Sequence, residues 1–249
     1  MQQSAEGQSK LTEQIVSEPI EFICDPELIN NIPAPEKAIR SAPEWFRKLE
    51  REMSTKDAYG MPAMTAKACL PMTDAFSLGY MLPLCTDVEF DVPEDRQFIQ
   101  VGWTKRLPFL VVDRHHPKQI GAPEPPFETA WPMKFHNPWR IKAPKGYSVL
   151  FTQPLSRPDL PFTVFSGMVD CDRFNTNVNI PFLWTGPPGK HTLKAGTPIA
   201  QMIPIRRDAL IKDGSARSAT EEELAEQDAA NERKYGEEST YAREWRVKK

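Results

Sequence analysis

The fold prediction starts from residues 141–207, which read IKAPKGYSVLFTQPLSRPDLPFTVFSGMVDCDRFNTNVNIPFLWTGPPGKHTLKAGTPIAQMIPIRR. The segment contains short runs of apolar and β-branched residues, and each run ends at a Gly, Pro, Asn or Asp. Runs of this kind are typical of β-strands separated by tight turns. The segment therefore predicts a domain built from many short strands.

Two carboxylates lie at the end of one of these runs. Gly167-Met168-Val169 leads directly to Asp170, and Asp172 follows two residues later. Residues i and i+2 of an extended chain share a face. The two side chains can therefore bind a divalent metal, orient a water molecule or act as a general base. The alternative is an Asx turn that only connects two strands.

Four short motifs follow one another in the central segment. They are I-x-x-P-x-G-Y, P-x-S-R, G-x-V-D-x-D and G-x-x-I-A-Q, and they occupy residues 141–147, 154–157, 167–172 and 196–201. This order resembles the trimeric dUTPase and dCTP deaminase group. Upstream, residues 75–93 are similar to the A-G-Y-D-L motif of that group, so the resemblance covers about residues 66–208.

The resemblance implies an all-β fold, a dUTPase-like β-clip barrel that assembles as a homotrimer with sites between subunits. A short N-terminal helix is predicted at Ser41-Ala42-Pro43-Glu44, and a charged C-terminal helix from about Thr220 to Tyr235, where Thr220 and Glu223 form a capping-box pattern. The expected organisation is a disordered tail at 1–16, an extension with a helix at 17–64, a β domain at 65–210 with an insertion at 105–133, and a charged helical tail at 211–249.

The same resemblance implies a set of site residues. Asp170 matches the aspartate that activates water in the hydrolases, and Asp172 accompanies it as the second catalytic carboxylate. The implied ligand is a nucleotide or another phosphate-bearing small molecule, which is bound or hydrolysed, with Mg²⁺ as the expected ion. The implied substrate-binding residues are Ser156, Arg157, Arg173, Phe174, Tyr80 and Gln201.

Three positions depart from the motifs of that group. Leu155 replaces an arginine, Met81 replaces a metal-linked aspartate, and Arg173 stands where an aromatic residue is expected. In addition, the APEWF opening at residues 42–46 resembles an uncharacterised family of bacterial and phage proteins that brings no known activity with it. These departures support an alternative function, a non-enzymatic structural or interaction protein of a phage or bacterium.

A third hypothesis comes from the histidines in and beside the insertion. His115, His116 and His136, with Asp113 or Glu128 as the carboxylate, have the ligand types of a mononuclear iron site in an oxygenase. However, adjacent residues of a strand point to opposite faces, so His115 and His116 can share one metal only if the chain bends there. Surface or hydrogen-bonding histidines are the alternative.

Composition and charge limit the classes of protein to which this chain can belong. The 249 residues carry a net charge of −3, which predicts no general attraction to nucleic acid or anionic lipid. No apolar run reaches the roughly 18 residues of a membrane-spanning helix. The four cysteines form no CxxC pair, and the first ten residues lack a basic and then apolar signal pattern. The sequence therefore predicts a cytoplasmic protein with reduced thiols.

Overall fold

The computed structural model describes residues 18–56, 60, 62–127, 131–236 and 244–247. The predicted tail at 1–16 and the candidate ligand Glu128 lie outside these residues. The chain divides into two compact units, of which one comprises residues 1–44 and 76–208 and the other comprises residues 45–75 and 209–249.

The larger unit is built almost entirely from short strands. In chain order they are β1 (Glu21–Ile23), β2 (Glu36–Lys37), β5 (Tyr80–Pro83), β6 (Val88–Val92), β7 (Gln100–Gly102), β8 (Val112–Arg114), β9 (Met133–Phe135), β10 (Arg140–Lys142), β11 (Tyr147–Thr152), β12 (Phe162–Val164), β13 (Gly167–Val169), β14 (Ile180–Trp184), β15 (Gly189–Leu193) and β16 (Pro198–Arg206).

These strands form antiparallel sheets, and the all-β class predicted from the sequence is confirmed. A five-stranded sheet has the order β13-β11-β16-β5-β2, a four-stranded sheet the order β12-β14-β9-β8, and a three-stranded sheet the order β15-β6-β7, while β1 pairs with β10. Strand β8 belongs to the predicted insertion, so part of that segment is a member of the four-stranded sheet.

The core of this unit follows from strand alternation. In β11, Val149 and Phe151 are buried at 0% and 3% exposure and join the main apolar cluster. In the four-stranded sheet, Phe135 stacks on Phe182 with ring centroids 3.9 Å apart, and Phe162 meets both rings edge-on. Burial of this apolar area is the main stabilising contribution to the unit.

One glycine fixes a close contact between two strands of the five-stranded sheet. Gly79 has φ +65°, and a Cβ atom there would lie 1.9 Å from the main-chain oxygen of Met202. No side chain fits in that space, so only glycine allows the chain to enter β5 in this way.

The smaller unit contains α1 (Glu44–Lys48), the ribbon of β3 (Glu52–Lys56) and β4 (Pro62–Met64), α2 (Leu70–Ser77) and α3 (Glu221–Gly236), except that Glu44, Phe76 and Ser77 are assigned to the larger unit. The two predicted helices are confirmed as α1 and α3. Thr220 and Glu223 form the predicted capping box, since Thr220 N donates to Glu223 Oε2 at 2.8 Å and Glu223 N donates to Thr220 Oγ1 at 3.2 Å.

Side-chain contacts hold two of these helices in place within the smaller unit. Lys67 Nζ donates to the main-chain oxygens of Phe46 and Arg47 at 2.9 and 3.2 Å, which satisfies the carboxyl end of α1. Asp74 in α2 accepts from Arg246 at 2.7 Å. Among the described residues, no helix is both long enough and apolar enough to cross a membrane.

Candidate functional site

Three segments meet at one end of the five-stranded sheet. The turn before β11 contains Gly146 with φ +87°, and Tyr147 N donates to Pro144 O at 3.1 Å to close it. The pairing of β11 with β13 places Val149 opposite Val169, so Ser148 lies beside Asp170, the residue that follows β13. Strand β16 ends next to both, and Arg207 N donates to Gly146 O at 3.0 Å.

Asp172 is part of an ion pair at the centre of this region. Arg207 donates to its carboxylate from both terminal nitrogens, at 3.0 Å from Nη1 and 2.5 Å from Nη2, and Gly146 N donates at 2.9 Å. The Asp172 side chain is only 5% exposed. The hydrogen bonds from Arg207, and to a smaller degree that from Gly146, lower the pKa of Asp172 to about 2, although desolvation opposes the shift. Asp172 is therefore ionised and already bound within the protein.

Asp170 has a different environment. Ser148 Oγ donates to its Oδ1 at 2.5 Å, and Arg207 Nη1 lies 3.5 Å from the same oxygen. The Asp170 side chain is 59% exposed, and its Oδ2 accepts no hydrogen bond from any residue that the structure describes. One oxygen is thus held while the other faces solvent. Such a carboxylate can accept a proton from, or orient, a bound water molecule.

The two residues after Asp172 border this carboxylate. The main-chain N–H groups of Arg173 and Phe174 both donate to Asp170 O at 2.9 Å, which forms a tight turn. The Arg173 side chain is exposed, and Phe174 is 41% exposed. Arg173 and Phe174, two of the six predicted substrate-binding residues, therefore lie beside Asp170.

Ser156 and Arg157 lie at the other end of β11. Leu155 N donates to Gln201 Oε1 at 2.9 Å, and Gln201 is the strand partner of Thr152. Because Ser148 and Thr152 are four residues apart in an extended strand, the two ends are separated by about 13 Å. A single chain does not bring Ser156 and Arg157 to Asp170.

Several predicted site residues have contacts inside the protein. Arg157 donates to both carboxylate oxygens of Asp159, at 2.7–3.1 Å, and to Ser41 O at 3.2 Å. Gln201 is fully buried, and its Nε2 donates to Leu78 O at 2.8 Å. Its amide joins two loops to the sheet, so its position fits a structural cross-link instead of the expected ligand contact.

Tyr80 is half-buried in β5 and meets Phe22 edge-on, with ring centroids 5.1 Å apart. Its ring packs against the core cluster. Only the exposed part of the Tyr80 side chain can therefore make the predicted contact with a ligand.

The three histidines of the iron-site alternative lie along the pairing of β8 and β9 and in the turn that follows β8. His115 N and His136 N bond to opposite ends of the pairing between β8 and β9. His115 Nδ1 lies 2.7 Å from Gln119 Oε1, while His116 Nδ1 accepts from the main chain of the following turn. His136 Nε2 lies 4.0 Å from Asp113 Oδ2. Within the described ranges, no three His, Cys, Asp or Glu side chains are grouped as metal ligands.

Burial, followed by the charge of Lys134, lowers the pKa of His136, and Asp113 opposes this shift only partly. The neutral form of His136 is therefore favoured, and its side chain is partly enclosed.

A separate hollow of about 550 Å³ lies on the three-stranded sheet. It is bordered by Glu89, Asp91 and Lys190, and the first two alternate with the buried residues of β6. Side chains of both signs on an exposed sheet face are the ordinary solvated arrangement. We place the candidate site at Asp170 instead, because this partly exposed carboxylate has the fully buried Ser148 hydroxyl on one oxygen and an open second oxygen.

The residues that sequence reasoning missed are Ser148 and Arg207. Both act on Asp170 through strand pairing, and Arg207 is 37 residues away from it in sequence. The only signal in the sequence was the run Arg206-Arg207-Asp208 at the end of an apolar strand.

Comparison with known proteins gives a distant structural likeness. No protein-family model and no curated protein matches the chain. Among solved structures, a mutant dUTPase from phage phi11 of S. aureus, described with a structural Mg(II) ion, matches with 11% identity and a TM-score of 0.38, over 82% of this chain and 98% of its own. A Staphylococcus bacteriophage 80alpha dUTPase mutant gives the same values, and another with dUpNHpp gives 12%, a TM-score of 0.36 and coverage of 82% and 94%.

At this identity and TM-score, the chemistry of the site follows from the residues of this chain alone.

Proposed function

We propose that the chain binds and hydrolyses a nucleotide or another phosphate-bearing small molecule at Asp170. The observation that carries the proposal is the asymmetry of this carboxylate, since Oδ1 accepts from Ser148 at 2.5 Å and Oδ2 is open to solvent. The adjacent guanidinium of Arg173 and the exposed ring of Phe174 support a ligand that is both anionic and partly flat.

In the proposed reaction, Asp170 Oδ2 takes a proton from a bound water molecule. The water oxygen forms a bond to phosphorus, and the bond between phosphorus and the leaving oxygen breaks. The products are either two phosphate-bearing fragments or a phosphate and an alcohol. Ser148 keeps Oδ1 in place during this step, which reduces the entropy cost of reaching the reactive geometry.

Magnesium fits this site only in part. Asp170 Oδ2 is a hard oxygen ligand of the type that Mg²⁺ takes, but both oxygens of Asp172 are bonded to Arg207. Because the protein offers one open carboxylate, these residues fit a Mg²⁺ ion that is already bound to the phosphate groups of the substrate. Bound there, it would neutralise charge on the phosphate.

The assembly and compartment proposed from the sequence are a homotrimer in the cytoplasm. Since Ser156 and Arg157 lie at the opposite end of β11, they can join Asp170 only from another copy of the chain. The four cysteines are free thiols, which agrees with a reducing compartment.

The test is a panel of nucleoside mono-, di- and triphosphates with and without Mg²⁺, measured by thermal shift and by release of phosphate or pyrophosphate. We expect stabilisation by at least one member and turnover that Asp170→Asn abolishes. Asp91→Asn, an exposed carboxylate on the three-stranded sheet, is the matched control and should leave turnover unchanged. Absence of stabilisation by every phosphate compound would argue against the proposal.

A second candidate is a non-enzymatic interaction protein of a phage or bacterium. It is supported by the internal bonding of two predicted site groups, Arg157 to Asp159 and Asp172 to Arg207. This candidate expects a stable complex with a protein partner and no turnover. Hydrolysis that disappears in Asp170→Asn would exclude it.

A further inference from the structure

Two exposed cationic side chains lie at the end of the sheet around Asp170. Lys145 is exposed at the tip of the turn before β11, and Arg173 is exposed in the turn after β13. Neither side chain forms a hydrogen bond or ion pair with another residue in the described part of the chain. By contrast, Lys142, three residues before Lys145, is paired with Glu21 at 2.7 Å.

The two turns are joined directly to each other. The N–H of Gly146, the residue after Lys145, donates to the carboxylate of Asp172, the residue before Arg173, at 2.9 Å. Arg207 binds both partners of this contact, because its main-chain N donates to Gly146 O and its guanidinium donates to the Asp172 carboxylate. The backbones of Lys145 and Arg173 are therefore brought close to each other by a partly buried cross-link.

The local charge balance favours an anion. Lys145, Arg173 and Arg207 contribute three positive charges, and Asp170 and Asp172 contribute two negative charges, which leaves one net positive charge. The chain as a whole carries −3. A positive region on an acidic protein attracts anionic ligands to that point of its surface.

We infer that Lys145 and Arg173 are the anion-binding pair of the Asp170 site, and that a phosphate group held between them is presented to Asp170 Oδ2 within the same chain. The inference rests on the proposed function for the class of ligand, and it adds Lys145 to the binding residues that the resemblance implies. It also assigns the phosphate contact to residues other than Ser156 and Arg157, so the first phosphate contact requires no second copy of the chain.

Inorganic tripolyphosphate is a suitable probe because it has charge and phosphate oxygens but no base or sugar. Isothermal titration calorimetry with the full chain should give a Kd that rises about tenfold in Lys145→Gln and in Arg173→Gln, as expected for the loss of one charge-assisted contact. Lys145→Arg should retain binding. Lys142→Gln removes the same charge nearby from a lysine that is already paired, and its Kd should stay within about twofold of the wild-type value.

The salt dependence gives a second measurement. The slope of log Kd against log salt concentration should decrease in Lys145→Gln and Arg173→Gln, since fewer charges are neutralised on binding. The inference is overturned if tripolyphosphate does not bind the wild-type protein, or if Lys142→Gln weakens binding as much as Lys145→Gln does. If binding depends on Lys145 and Arg173 but no nucleotide is hydrolysed, the anion site stands and only the proposed hydrolysis fails.

Discussion

Replacement of Asp172 by asparagine tests the ion pair that organises the site. The variant keeps the size of the side chain and removes the charge that faces Arg207, so it imitates the protonated state of Asp172. The side chain is 5% exposed and accepts hydrogen bonds from Arg207 and Gly146. We therefore expect a loss of stability that depends on pH.

The size of the effect follows from the pKa. The Asp172 carboxyl has a pKa of about 2 in the folded protein, against an ordinary value of 3.8. Because one pKa unit corresponds to ~1.4 kcal/mol, the ionised carboxylate contributes about 2 kcal/mol to the free energy of unfolding at neutral pH. A lowered pKa means that this contribution is complete above about pH 5 and is lost as the pH falls toward 2, with about half remaining near pH 3.

Urea denaturation at a series of pH values, followed by circular dichroism, measures this difference. Asp172→Asn should unfold at lower urea than the wild-type protein at pH 7, and the two free energies should approach each other between pH 5 and pH 3. Asp87→Asn, which removes a carboxylate from an exposed pair with Lys194, should have a smaller effect at neutral pH. A difference between wild type and Asp172→Asn that stays constant down to pH 3 would refute the reasoning.

Three further outcomes are expected. Ser148→Ala should lower kcat about tenfold with little change in KM, and Ser148→Thr should restore it, because the hydroxyl positions Asp170 and does not contact the ligand; equal kcat in both variants would contradict this role. Gly79→Ala should cost about 3 kcal/mol or prevent folding, since its Cβ would overlap the main chain of Met202, and a wild-type melting temperature would disprove the close contact. Burial raises the pKa of the Cys85 thiol to about 11, so mass spectrometry should find it unmodified by iodoacetamide at pH 8 in the native protein and alkylated after unfolding; rapid native alkylation would show that it is accessible.

Some elements were predictable because their signals are local. The alternation and turn residues of 141–207 indicated short strands, and the pair Thr220 and Glu223 indicated the start of α3. Asp170 was predicted as a site residue because it follows directly on an apolar run. In each case neighbours in sequence supply the interaction that defines the feature.

One apolar segment lacks a local signal of this strength. Residues 65–70 have the composition of a short strand, but a 3₁₀ turn at Ala66–Ala68 leads into α2, which begins at Leu70. Pro71 in its first turn is typical of a helix start and was the available signal. A short apolar run alone does not separate a strand from a helix, because both conformations can bury it.

By itself, the sequence determined the all-β class and the two predicted helices, and it proposed the carboxylate at position 170 as a site residue, since these depend on the periodicity and chemistry of nearby residues. Only the tertiary structure decided which of the two aspartates is open to solvent, that Ser148 and Arg207 hold the site, and that Ser156 lies at the far end of β11. The physical reason is strand register: pairing brings residues 22 to 37 positions apart into hydrogen-bond contact, and that pairing is set by packing across the whole sheet.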